Sequence, residues 1–145
     1  MSSGDPYEET PVDLNLGVPH DLVPGRDTDT QALVWIWCPA GPHRQDDARL
    51  MGAISEAAQD WERHPSPNAL TSLGCHRVQG RPAWVFERLP GDGALSVNRD
   101  AFSASEALQV GLDLASALRG LHEAGASHGD VRPGRLVWGL SLIHI

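Results

Sequence analysis

The spacing of apolar residues along the chain predicts short strands alternating with helices. The run Gln31–Cys38 is rich in β-branched and aromatic residues and stops at Pro39, which predicts a buried strand. The next segment, 46–63, has its apolar residues on one face of an α-helix. These residues are Leu50, Met51, Ile54, Ala57, Ala58 and Trp61.

A hairpin and a second helix follow. Two apolar segments, at about 69–76 and 82–89, flank a short Gly-bearing connection and predict a pair of antiparallel strands. A helix is expected over 106–124, with Ser105 as its N-cap and Gly125 ending it. Its expected inner side consists of Leu108, Leu112, Ala115, Leu118, Leu121 and His122.

This order of elements predicts an α+β fold, not a doubly wound parallel sheet. Residues 1–30 are acidic and interrupted by four prolines, so they are interpreted as an acidic N-terminal arm. The arm is either a solvated tail or the site of degenerate first strands, for which Val12–Leu16 and Asp21–Val23 are the candidates.

Composition and charge restrict the classes of function. The 145 residues fit one domain or part of a larger one. With 19 acidic against 11 basic residues, a net charge of -8 and no basic stripe, nucleic acid is not an expected partner. Two cysteines without metal-ligand spacing indicate neither a disulfide framework nor a metal site, and a cytoplasmic location is expected. The longest apolar run, Ala32–Cys38, is too short to span a membrane.

A polar loop after the second helix is the first candidate for chemistry. It contains His128-Gly-Asp130, and a carboxylate on a loop fixed by rigid elements can act as a general base. The tripeptide alone is more typical of a capped loop with solvated charges than of a catalytic site. All eleven basic residues are Arg, so a mechanism that needs a lysine ammonium is excluded.

The order of several motifs resembles the protein-kinase family. The stretch Leu118–Val137, with His128-Gly-Asp-Val-Arg-Pro-Gly-Arg135, is similar to the end of the long C-lobe helix and the catalytic loop of that family. The stretch Pro82–Gly91 is similar to its fifth strand and hinge, and the helix that ends at His64-Pro65 resembles helix C. The resemblance extends over roughly residues 31–138.

The resemblance implies a fold and an activity. Residues 31–90 would form a kinase-like N-lobe, an antiparallel sheet with helix C, and the hinge, and residues 91–139 would begin the C-lobe and include the catalytic loop. The family transfers phosphate from ATP, with Mg²⁺, to Ser or Thr hydroxyls of proteins.

In the catalytic loop, the resemblance makes Asp130 the base that accepts the proton of the substrate hydroxyl. It makes His128 the residue that braces the loop. Arg132 takes the place of the loop lysine, and its guanidinium would neutralise the transferred phosphoryl group.

In the N-lobe and hinge, the resemblance makes Phe86 the gatekeeper and places the backbones of Glu87 and Leu89 against an adenine ring. Glu56 lies within one residue of the helix-C glutamate. A chain without lysine cannot supply the ammonium partner of that glutamate.

Three departures from the family favour a pseudokinase that binds nucleotide weakly. The phosphate-gripping lysine of the third strand is replaced by Trp35 or Trp37. Arg135 stands where the family has an asparagine that binds the second Mg²⁺, and its cation would repel the metal. The only candidates for a phosphate-cradling glycine loop, Gly17 and Gly25, are isolated from each other.

Two other classes of function stay open. One is a non-catalytic interaction module that binds a protein partner through the acidic arm and the hinge side. The other is a small-molecule phosphotransferase of the aminoglycoside type, whose loop also resembles His-Gly-Asp followed by Pro-Gly. Cys75-His76 is only a weak indication of metal binding, and no metal site is predicted.

The C-terminal residues are unusual for a kinase. No second metal-binding motif or activation segment follows the catalytic loop, so a truncated domain is expected. Residues 140–145 resemble a translated sequencing adapter, the alternative being a genuine short strand.

Overall fold

A computed structural model describes residues 4–9, 22–38, 47–66, 68–89, 93–94, 103–129, 131, 136–138 and 143–144. The chain is α+β, as predicted, and divides into two compact units. The first comprises Met1–Glu62 and Thr71–Leu89, and the second Arg63–Leu70 and Pro90–Ile145. In chain order the elements are β1 Tyr7–Glu9, β2 Val23–Asp27, β3 Leu33–Trp37, α1 Asp47–Arg63, β4 Ser72–Val78, β5 Arg81–Glu87, β6 Gly93–Ala94, α2 Ala104–Glu123, β7 Val137–Trp138 and β8 Ile143–His144.

The sheet of the first unit, expected to be antiparallel, closes into a barrel of strand order β1-β2-β3-β5-β4. All neighbouring strands are antiparallel except β1 and β4, which meet in a parallel contact at Tyr7 and Val78. The Gly80 N–H donates to Asp5 Oδ2 at 2.7 Å, beside this contact. The chain just before β1 therefore binds the β4–β5 turn and helps to close the barrel.

The barrel core is aliphatic. Alternate residues of a strand point to opposite faces, and the inward set is Val34, Ile36, Val78, Ala83 and Val85. On β2, a side chain at Gly25 would place its Cβ 2.5 Å from Glu8 O and against Ile36. This glycine is therefore needed for close packing of the strands.

Strand boundaries differ from the sequence predictions by a few residues. The predicted strand Asp21–Val23 is instead Val23–Asp27, and Val12–Leu16 lies outside the described residues. The predicted hairpin is present, but its turn is the two residues Gln79 and Gly80. Both have positive φ, +50° and +74°, the backbone twist that favours a two-residue hairpin.

The first predicted helix is confirmed as α1, which buries Ile54 and Ala58 and exposes Glu56. The second helix begins two residues earlier than predicted, because Ser103 and not Ser105 is the N-cap. The Glu106 N–H donates to Ser103 Oγ at 3.2 Å, and the Ser103 N–H donates to Glu106 Oε2 at 2.7 Å. This reciprocal pair satisfies two N–H groups at the helix start.

The predicted inner side of α2 is wrong over most of its length. Leu108 and Leu112 are 65% and 57% exposed, and Ala115 and His122 are also exposed. Leu121 is buried, as predicted, but the other buried residues, Asp113 and Ala117, lie eight and four positions before it and were not among the predicted inner residues.

Small residues explain which side of α2 is packed. Ser66 Oγ donates to Ala117 O at 2.6 Å, and a Cβ on Gly120 would lie 2.8 Å from the Ser66 Cβ. The connection between α1 and β4 therefore lies directly on the backbone of α2. Such an approach requires glycine and alanine, whereas the leucines on the other side would keep the two segments apart.

The second unit also contains a three-stranded sheet of order β6-β7-β8. Val137 pairs with His144, and Trp138 pairs with Ile143, in antiparallel register. Two of the residues interpreted as an adapter-derived tail are thus paired in a strand.

Candidate functional site

The face of the barrel that turns away from its core carries the aromatic residues. On β3, Val34 and Ile36 point into the core, so Trp35 and Trp37 lie on the opposite face. Trp35 is nevertheless only 1% exposed, and Trp37 is half-buried. Neither tryptophan therefore packs in the aliphatic core of the barrel, and both belong to a second layer of packing on its outer face.

The neighbouring strand continues this layer. In the register of β3 and β5, Phe86 lies opposite Trp35, and Trp84 lies opposite Trp37. The rings of Trp84 and Phe86 are stacked, with centroids 4.8 Å apart and planes 29° from parallel. Trp37 meets Trp84 edge-on at 6.5 Å. Each such pair adds about 0.5–1.5 kcal/mol to the energy of burial.

Helix α1 reaches the same layer through Trp61. Its ring meets Trp84 edge-on at 5.6 Å and Phe86 at 6.4 Å. Trp84 Nε1 donates to Ser72 Oγ at 2.9 Å, and Ser72 Oγ donates to Glu62 Oε1 at 2.9 Å. We call this layer the aromatic face, composed of Trp35, Trp37, Trp61, Trp84 and Phe86. It fixes the C-terminal end of α1 on the β4–β5 hairpin.

A guanidinium contacts the aromatic face. Arg88 Cζ lies 4.6 Å from the centroid of the Trp35 ring, within the range of a cation–π interaction. Trp35 Nε1 is buried and has no hydrogen-bond partner within the described part of the chain. The indole is therefore enclosed on all sides, although its single polar atom makes no hydrogen bond within the described part of the chain.

Three predicted site residues lie together at the end of β5. Phe86 is buried at 7% exposure, Glu87 is exposed, and Leu89 is 49% exposed. The Glu87 N–H donates to Thr71 O at 2.9 Å, and the Arg88 N–H donates to Leu33 O at 3.3 Å. These two N–H groups are thus occupied by neighbouring segments of the protein.

The fourth predicted residue of the first unit is not part of this group. Glu56 lies on α1 two positions from both Ile54 and Ala58, which are buried. Two positions along a helix correspond to a rotation of about 200°. The Glu56 carboxylate is therefore exposed, away from the packed side of the helix.

Only part of the predicted catalytic loop can be placed. His128 is half-buried and follows the end of α2. Gly129 has φ +81°, a conformation that side-chain-bearing residues rarely adopt, so this position favours glycine. Asp130, Arg132 and Arg135 lie outside the described residues, and their roles remain predictions.

The weak indication of a metal site at Cys75-His76 has no support in the geometry. Adjacent residues of a strand point to opposite faces. Cys75 Sγ lies 3.6 Å from Met51 Sδ under α1, whereas the His76 ring packs edge-on against Tyr7 at 4.9 Å. Burial raises the pKa of the Cys75 thiol, which makes it a poor nucleophile. Within the ranges described, no three His, Cys, Asp or Glu side chains form a group that could hold a metal ion.

The sequence alone gave no functional role to Trp61, Ser72 or Arg88. Trp61 appeared in the apolar stripe of α1, and this periodicity was the signal that it is packed. For Arg88 no comparable signal exists, because its contact with Trp35 depends on how β3 and β5 are paired.

Comparisons with known proteins support the resemblance at the level of the fold. No family model matches the chain, and no curated protein matches it. A structure of Neurospora crassa PAN2 (WD40-CS1) in complex with PAN3 (pseudokinase and C-terminal region) matches 93% of this chain, with a TM-score of 0.59 and 15% identity. The M. tuberculosis PknI kinase domain matches 87% of it, with a TM-score of 0.62 and 16% identity.

The chain spans 35% of the length of the first of these structures and 51% of the second. Among the described helices, none is both long and apolar enough to cross a membrane. The sequence motifs, the barrel with helix α1 and the structural matches agree on one point: the chain has a protein-kinase-like fold.

Proposed function

We propose that this chain is a pseudokinase region of the Ser/Thr protein-kinase type, which does not transfer phosphate. The observation that carries the proposal is the aromatic face. Where the resemblance requires a lysine on the third strand, the chain has Trp35 and Trp37, and it contains no lysine at all. Phosphoryl transfer depends on cations that hold and neutralise the phosphates. An indole supplies no such charge.

The residues of the first unit do not fit ATP and Mg²⁺, the cofactors that the resemblance implies. Trp35 is almost completely buried, and the Arg88 guanidinium lies over its ring. Gly25, one of two candidates for a phosphate-cradling loop, lies inside β2 and serves strand packing. Nucleotide binding by this chain would therefore be weak and limited to backbone contacts near Glu87 and Leu89.

Thermal shift and phosphotransfer assays test the proposal. A nucleotide present at 100 times its Kd stabilises a protein by about 2.7 kcal/mol. For a chain of this size that corresponds to a rise of very roughly 5–10 °C in Tm. We expect millimolar ATP with Mg²⁺ to produce no rise of that size and radiolabelled ATP to transfer no phosphate. Mg²⁺-dependent phosphorylation that disappears in Asp130→Asn would refute the proposal.

A protein-binding role is the second candidate, and two observations favour it. One of the matching structures is a complex in which a pseudokinase is present with PAN2. In this chain, the exposed leucines Leu108 and Leu112 form an apolar stripe on α2. The acidic arm is less suitable for a deletion test, because residues 1–30 include two strands of the barrel.

Substitutions on α2 test this role without disturbing the fold. Leu108→Arg with Leu112→Arg should abolish binding to a purified partner and leave Tm unchanged, because both side chains are exposed. Ala107→Arg, exposed on another side of the same helix, is the matched control. Equal binding by all variants would exclude the stripe as the contact surface.

A further inference from the structure

The burial of Trp35 has no explanation in the barrel core. Its side chain lies on the opposite face from Val34 and Ile36, outside the aliphatic core of the barrel. It is 1% exposed nonetheless. Phe86 lies opposite it on β5, and the Arg88 guanidinium lies over its ring.

Two features distinguish this packing from an ordinary hydrophobic contact. A buried indole N–H without a partner is unfavourable, and a phenyl ring at the same position would avoid that loss. The second feature is the Arg88 guanidinium, which covers the ring at 4.6 Å. A planar guanidinium stacks on flat aromatic rings of many kinds.

We propose that Trp35 and Arg88 form an intramolecular plug that occupies a ring-binding site of the first unit. The indole is a flat bicyclic ring of nearly the same size as a purine. It fills the volume beside Phe86 that a planar heterocycle would otherwise take, and Arg88 covers the outer side of that volume. The proposal rests on the proposed function, because it gives a physical reason for weak nucleotide binding by a kinase-like chain.

The test is removal of the plug. Trp35→Ala empties the volume of one indole, and an apolar cavity of that kind binds small aromatic molecules. We expect Tm of Trp35→Ala to rise by at least several degrees in millimolar indole and in millimolar adenine, whereas the wild type responds to neither. Arg88→Ala in the Trp35→Ala background should weaken both responses at least several-fold.

Two further variants keep the test decisive. Trp37→Ala removes a half-buried tryptophan from the same face and should respond to neither compound. If Trp35→Ala does not fold, Trp35→Leu retains part of the packing, and its Tm should still rise in both compounds. Titration calorimetry on the soluble variant gives the affinities directly.

The outcomes separate the plug from the proposed function. A response to indole without adenine, or equal responses in Trp35→Ala and Trp37→Ala, would overturn the plug. Binding of adenine to the wild type as strong as to Trp35→Ala would do the same. Phosphate transfer by the wild type would instead overturn the proposed function, and it would be seen in a separate assay.

Discussion

The packing of the α1–β4 connection on α2 gives a sharp prediction, because α2 contains two glycines in different surroundings. A Cβ added at Gly111 would meet nothing within 4 Å. A Cβ added at Gly120 would lie 2.8 Å from the Ser66 Cβ and 3.2 Å from its Cα, closer than side chains pack. The variants Gly111→Ala and Gly120→Ala thus make the same chemical change in open and in filled space.

The magnitudes follow from the two environments. Replacing a helix-interior glycine by alanine stabilises the helix by about 1 kcal/mol. At Gly111 this gain is unopposed. At Gly120 it is opposed by an overpacking cost of about 1–3 kcal/mol. Displacement of Ser66 also loses its hydrogen bond to Ala117 O, worth about 1 kcal/mol. The expected net effect at Gly120 is a loss of roughly 1–3 kcal/mol.

Urea unfolding monitored by circular dichroism measures this difference. We expect the free energies of unfolding of the two variants to differ by roughly 2–4 kcal/mol, with the wild type between them. Adding Ser66→Gly to Gly120→Ala removes both Cβ and Oγ from the clash, so the double variant should recover part of the loss. Equal stabilisation by the two alanines would show that Ser66 does not lie on α2 and would refute the reasoning.

Three further predictions concern α1, the β2–β3 turn and the start of α2. Trp61→Ala should lower the free energy of unfolding by about 2–4 kcal/mol to the same extent at low and high salt, because the ring contacts with Trp84 and Phe86 that it loses are uncharged; a salt-dependent loss would contradict this. The N–H groups of residues 30 and 29 donate to the Asp27 carboxylate and hold its pKa below the ordinary 3.8. The ionised carboxylate therefore stabilises the fold fully at pH values above 3.8, and this stabilisation is lost as pH falls through the lower pKa of the folded state. Asp27→Asn keeps an acceptor without a charge, so acid titration of its stability should be flatter than that of the wild type, and identical curves would contradict this. Ser103→Ala should lower the free energy of unfolding, measured in urea, by about 1 kcal/mol, and Ser105→Ala should lower it by less than about 0.5 kcal/mol. A larger loss in Ser105→Ala would show that Ser105 is the N-cap, as the sequence predicted.

The elements of this chain could be predicted because they depend on local patterns. The apolar repeat between residues 46 and 63 identified α1 to within one residue, since an amphipathic helix needs only a stripe at helical spacing. The run Gln31–Cys38 likewise contained β3, and Gly80 marked the hairpin turn. The kinase-like fold could be expected from the order of motifs, and the comparison with solved structures supports it.

The side of α2 that is buried could not be predicted from hydrophobicity. Leu108 and Leu112 suggested one side but are exposed, and the helix packs through Ala117, Gly120 and Leu121. A backbone segment can approach the helix closely only where the helix has small residues. The pattern of large apolar residues along the sequence does not show where that happens. Only the position of Ser66 in space decides it.

The amino-acid sequence by itself determined what the candidate site lacks. Without a lysine, no arrangement of the chain can place a lysine side chain against a phosphate. What surrounds the tryptophan that replaces it was decided by tertiary structure, because strand pairing brings Phe86 opposite Trp35 and the fold sets Arg88 over the indole. Residue identity is fixed along the chain, whereas contacts between distant residues exist only once the strands are paired.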